Sequence, residues 1–149
     1  METFLMSYLR LSVVVSLLFV ACQSGAFERE ALIGDWEVAD VYCGSCKTVD
    51  RSDLGQVIHL AANSVNDPLA GGECPGNVGY REMAVNASLR NSTIRKIDPK
   101  WVQAKENRIK WVSITCRDLD FILVMMLPDG SLGYVSEGEI SYRLIRRRQ

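Results

Sequence analysis

One histidine, His59, stands among the 149 residues, and no stretch is apolar for long enough to cross a bilayer as a helix, which takes about 20 residues. His59 sits in an alternating stretch opposite Ile58 and Leu60, where an outward or satisfied strand histidine reads better than a general base. No G-x-S-x-G and no run of metal ligands accompanies the many serines and acids. Glu37, Asp40, Glu82, Asp118 and Asp120 become acid–base carboxylates only if folding pairs them, while Asp50, Asp53 and Asp67 read as turn residues. The formal net charge is −1, so no overall basic excess argues for nucleic acid. No internal repeat and no low-complexity tract is visible either. The chain is expected to be non-enzymatic and to need no cofactor or metal.

What is present begins with residues 11–22, LSVVVSLLFVAC, an apolar run after Arg10 that gives way to the polar Gln23-Ser24-Gly25. A basic residue, a short apolar core and a small-residue exit describe a secretion signal. The exit admits two readings. Phe19-Val20-Ala21-Cys22 resembles the lipobox of bacterial lipoproteins, with Cys22 as the lipidated first residue of the mature chain. Cleavage after Ser24-Gly25-Ala26 would instead free Phe27. The lipoprotein reading gives residues 1–21 as signal, 22–33 as linker and 34–149 as the folded domain, with the periplasm or outer membrane as its place. Secretion as a soluble protein is the alternative. Asn86-Ala87-Ser88 and Asn91-Ser92-Thr93 fit the glycosylation pattern, which matters only in a eukaryotic secretory route.

Five cysteines leave one to explain in an exported protein. Either exit from the signal takes Cys22 out of the folded domain, and Cys43, Cys46, Cys74 and Cys116 remain as an even set. Four cysteines permit three pairings. The favoured one makes Cys43–Cys46 a loop staple and ties Cys74, in a Gly/Pro-rich loop, to Cys116 at a strand end. Two other uses of these sulfurs stay open. Cys43-Gly44-Ser45-Cys46 could serve thiol–disulfide exchange in the cell envelope, but no helical pattern comes after it to lower a thiol pKa. The four thiols also match a zinc site in number, though the second pair is not a CxxC and an oxidising compartment favours bridges.

The rest of the chain reads as strands. Residues 34–42, 56–62, 79–89 and 108–116 alternate to varying degrees, and 121–127 is apolar on both faces. On the first of these, Trp36, Val38 and Tyr42 are expected to share a face. Pro128-Asp129-Gly130 reverses the chain into 132–136, and Glu137-Gly138 turns it again into 139–146, a three-strand meander. Helix is confined to a turn or two within 97–107, started by Asp98-Pro99. The Gly- and Pro-rich residues 63–79 are expected to form a long tethered loop that bars a regular strand and offers the likeliest functional surface. The arginines 143, 146, 147 and 148 read as a solvated tail after the last strand. The fold class is therefore all-β, with at most one or two short helices, in about 120 mature residues.

Gly34-Asp35-Trp36 on the first strand and Tyr142-Arg143-Leu144-Ile145-Arg146 on the last resemble the lipocalin and wider calycin superfamily. That resemblance implies a small antiparallel β-barrel whose first-strand tryptophan is covered by an arginine near the last strand, at the closed end. Strand parity puts Arg146 on the face of Ile140, Tyr142 and Leu144, which selects it as the partner of Trp36. Such a contact contributes on the order of 1 kcal/mol. The resemblance also implies a role in recognition. The barrel would hold a small apolar ligand or inhibit an envelope enzyme, with the membrane engaged through the N-terminal lipid. A structural envelope lipoprotein without any ligand is the remaining alternative.

Overall fold

The computed structural model describes residues 28–69, 72–102, 106–136 and 138–148. The signal at 1–21 and the lipidation site Cys22 lie outside the described residues. Nine strands form one antiparallel sheet: β1 (Gly34–Cys43), β2 (Val57–Leu60), β3 (Val65–Asp67), β4 (Gly72–Cys74), β5 (Val78–Met83), β6 (Lys110–Cys116), β7 (Leu119–Met126), β8 (Leu132–Val135) and β9 (Ile140–Arg146). Their order is β4-β3-β2-β1-β9-β8-β7-β6-β5, so β4 and β5 form the margins of a nearly closed barrel.

Side chains and sulfur join those margins. Cys74 on β4 is bonded to Cys116 at the end of β6. The Tyr80 hydroxyl of β5 donates to the Ala61 carbonyl at 2.7 Å, and the Asn77 amide donates to Asn63 Oδ1 at 2.9 Å.

The meander forms where turn chemistry places it. Gly130 adopts φ +83°, its amide donates to Leu127, and the Ser131 amide is held by Asp129 Oδ1 at 3.0 Å. Inward residues of the strands then fill the barrel: Trp36, Val38 and Val41 from β1, Val112 and Ile114 from β6, Val124 from β7, Tyr134, Tyr142 and Leu144 from the last two strands. Leu32, fully buried, belongs to this cluster although it falls in the segment expected as a linker. A register shift between Val38 and Asp40 changes the parity of β1. Val41 therefore points inward, and Tyr42 turns out to meet Trp101 edge-on at 6.2 Å between ring centroids. The expected face of Trp36, Val38 and Tyr42 is broken by that bulge, because one extra residue reverses alternation.

Two further expectations are corrected. Residues 63–79 contain β3 and β4, since Pro68 and Pro75 fall just after each strand and cost the ladder no donor. Gly72 belongs in β4 because a Cβ there would lie 2.6 Å from the Phe121 ring. The strand candidate at 79–89 ends at Met83, and α1 (Ala87–Ile94) comes next, with Asn86 accepting from the Leu89 amide as its N-cap. A shorter helix, α2 (Pro99–Val102), begins at Asp98-Pro99 as the sequence indicates. This helical excursion lays Ile97, Trp101, Val102 and Ile109 over the outer faces of Trp111 and Met125, building a second core outside the barrel wall.

Candidate functional site

The wall of the barrel opens between β7 and β8. Their ladder runs from Met126↔Leu132 to Val124↔Tyr134, yet β7 continues through residues 119–123 beyond that last pair. The resulting cleft has a volume of about 480 Å³ and is lined by Leu69, Phe121, Leu123, Tyr134, Val135 and Ser136, with Ile122 at its base. Phe121 is the extra residue of a β-bulge, because Ile114 pairs with Ile122 while Thr115 pairs with Asp120. Bulges re-aim a side chain, and here the ring leans over Gly72 toward the interior. Leu69 reaches the same cleft from the β3–β4 turn, where the Asp67 carboxylate fixes its amide at 2.9 Å.

Polar anchors underlie this end of the barrel. The Tyr134 hydroxyl donates to Asp67 Oδ2 at 2.9 Å, and Asp67 is fully buried. Tyr134 stacks on Tyr142 at 5.9 Å, and the Tyr142 hydroxyl donates to Asp53 Oδ2 at 2.8 Å. Burial first, then the hydrogen bond to Asp53 and the charges of Asp53, Asp50 and Asp67, push the Tyr142 phenol far above its ordinary range. Tyr142 is therefore held as a neutral hydrogen-bond donor.

Residues 44–56 close the same end as a lid. Val49 packs on the interior cluster, the Gly55 amide donates to Val38, and the Val38 amide donates to Gln56. Cys43 and Cys46 are bonded at the start of this loop, Cys43 buried and Cys46 exposed. Beyond Cys46 the chain runs through bends and turns to Gln56, with no helix to supply a dipole.

The opposite end is plugged. Trp36 Nε1 donates to the Leu32 carbonyl at 2.8 Å, and the Arg146 guanidinium lies over the indole, 4.8 Å from its centroid. Arg146 also donates to the carbonyls of Ile33, at 2.8 Å, and Ala31. Of the other candidate residues, His59 Nδ1 meets Asp35 Oδ1 at 2.8 Å on the outer wall, where both are open to solvent. Glu37, Glu82 and Asp118 are spread over separate strands and a turn, and the Asp120 carboxylate accepts from Ser113. Asp40 accepts from Trp101 Nε1 at 3.4 Å, and among the described residues no three His, Cys, Asp or Glu side chains gather where they could hold a metal.

Of the lining residues, Leu69 lies in the 63–79 stretch expected as the functional surface, whereas Phe121, Tyr134 and Val135 were missed. The double-sided apolarity of 121–127 was the signal near those three. No protein-family model, curated protein or solved structure matches this chain.

Proposed function

We propose that the chain is an exported, lipid-anchored, non-enzymatic barrel that binds a small apolar ligand in the β7–β8 cleft. One observation carries this reading: a 480 Å³ opening in an otherwise filled barrel, lined by Leu69, Phe121, Leu123 and Val135 together with polar groups that expose the larger share of its surface. That volume falls within the range typical of small-molecule sites. A ligand deep in the barrel axis is disfavoured, because Trp36, Ile58, Ile114 and Leu132 are buried there in one packed cluster between the plug and the lid. Tyr134 and Phe121 would supply the aromatic walls of the cleft.

A second reading, inhibition of an envelope enzyme, draws on a separate feature. Residues 119–123 of β7 extend past their last β8 partner, as an edge able to accept an added strand from another protein. Thiol–disulfide exchange at Cys43 and Cys46 gains less support, since the lid loop follows Cys46 where such chemistry uses a helix N-terminus.

Dye uptake separates these readings. A solvatochromic apolar dye should brighten with the native protein and be displaced by the molecule co-purified from the host. Val135→Glu should abolish the uptake while the melting temperature stays within a few degrees, because Val135 is only half-buried. An empty monomer that takes up no dye overturns the ligand reading. The inhibitor reading then requires a complex in which amide exchange slows at 119–123, and insulin reduction by the native protein would point to the redox alternative.

A further inference from the structure

The two bridges stand in unlike places. Cys74 on β4 is 1% exposed and Cys116 on β6 is half-buried, both against the interior cluster. After reduction those two sulfurs would stay face to face, because packed strands carry them. Cys43 ends β1 and is buried, whereas Cys46 is exposed and belongs to the lid. Cys46 is thus the bridged residue most open to a thiolate from outside, and exposed bridges are the readily reduced ones.

The lid is fastened unevenly. Its second half is hydrogen-bonded to the barrel, through Gly55 and Gln56 on Val38 and through Asp53 on the Tyr142 hydroxyl. Turns brace that half further, with the Leu54 amide donating to the Arg51 carbonyl and the Ser52 amide to Asp50 Oδ1. None of these bonds reaches residues 44–49. That stretch is held by the bridge at one end and by Val49, half-buried on the interior cluster, at the other. Between them Gly44, Ser45, Lys47 and Thr48 are all exposed. Cutting the bridge would therefore free 44–49 while the second half stays in place.

We infer that Cys43–Cys46 is a redox latch on the lid, opened by a protein dithiol in the same compartment. One thiolate of that dithiol attacks Cys46 Sγ, the bond to Cys43 breaks, and Cys43 Sγ leaves with the electron pair. The Ser45 hydroxyl, 3.9 Å from Cys43 Sγ, is placed to donate to the departing thiolate. The second thiol of the reductant then displaces Cys46 from the mixed disulfide. The dithiol ends as its own disulfide, two electrons poorer, and its two protons pass to Cys43 and Cys46. Residues 44–49 are then released, and the interior cluster loses the cover of Val49. The latch differs from exchange as an activity, since the chain accepts two electrons and hands none to a substrate. It rests on the placing of the bridges and is independent of the ligand and lipoprotein readings.

The test treats protein with both bridges formed with dithiothreitol. Free thiols are alkylated at intervals and located by peptide mass spectrometry. Cys43 and Cys46 should become free together, roughly ten-fold sooner than Cys74 and Cys116. The partly reduced protein, cleared of dithiothreitol, is then given trypsin. Cleavage after Lys47 should quicken about 30-fold, the opening equilibrium that the chain-entropy estimate assigns to a separation of 3. The Gly55 amide, bonded to Val38, should keep its exchange rate. Cys43→Ser with Cys46→Ser should be cut at the fast rate without any dithiol, and no faster with it. If that variant does not fold, the partly reduced native chain decides alone. Equal or earlier opening of Cys74–Cys116, or slow cleavage after Lys47 once Cys43 and Cys46 are free, overturns the latch. Sustained reduction of insulin by the native protein overturns it too, because the pair would then carry electrons onward.

Discussion

Gly34 shows how much a single position can carry. It adopts φ +146°, and a Cβ there would lie 2.8 Å from Arg146 Nη1. That nitrogen is fixed by the Ile33 carbonyl, so it cannot give way without releasing the indole beneath it. The Gly-x-Trp pattern thus has a mechanical reason in this chain: glycine allows both the turn and the close approach of the guanidinium. Gly34→Ala should cost about 1–3 kcal/mol, lower the melting temperature by several degrees and weaken the near-UV signal of Trp36. A melting curve that does not move would contradict that mechanical role. An arginine over Trp36 was implied by the resemblance, and parity along β9 selected Arg146 rather than Arg143. Tyr42 could not be placed, because the bulge after Val38 has no composition of its own to announce it.

Tyr80 gives a pH dependence with a definite sign. Burial, opposed by the charge of Arg29, raises its pKa from 10 to about 12. The unfolded chain releases this proton near pH 10, while the folded protein keeps it until about 12. Its contribution is therefore complete below pH 10 and declines between about 10 and 12. Urea melts should show stability falling across that window, and Tyr80→Phe should flatten the fall. Because the same hydroxyl ties β5 to the Ala61 carbonyl, the variant should also be less stable at neutral pH.

Among the elements, the meander of β7, β8 and β9 was the most legible, since Pro128, Gly130 and Gly138 punctuate alternating runs. The β3–β4 hairpin was hidden, because its strands are three residues each and its prolines lie at their ends. The helix α1 was equally hidden: of its residues only Thr93 is buried, so no apolar stripe marks it, and its start depends on the Asn86 cap. The β7–β8 cleft arises where a ladder stops, which depends on strand lengths set by packing rather than on residue type.

The two bridges act on different elements and should differ in consequence. Cys74–Cys116 closes a loop with a sequence separation of 42, worth about 4 kcal/mol on the chain-entropy estimate, whereas Cys43–Cys46, with a separation of 3, is worth about 2. Cys74→Ser with Cys116→Ser should therefore be the more destabilising change in denaturant melts. Cys43→Ser with Cys46→Ser should mainly quicken amide exchange in the lid. The reverse ranking would show that the lid, not the margin, limits stability.

On the scale of the whole molecule, the all-β architecture was readable because most strands have one face toward a common interior. The second core was not. Trp111 and Met125 are partners across β6 and β7, but Trp101 reaches them only through the excursion between β5 and β6, and nothing local in the sequence announces that contact. The arginines near the chain end illustrate a middle case. Read as a solvated tail, they include one that seals the barrel, one paired across a turn and two that remain at the surface.

The margins of the sheet, finally, dictate where this molecule can be finished. A hoop fastened partly by sulfur gains that rivet only in a compartment that oxidises thiols. Before reaching one, the Tyr80 and Asn77 hydrogen bonds alone would guard two borders that can pair with a neighbouring chain. Under the proposed export, delivery and the final step of assembly would coincide.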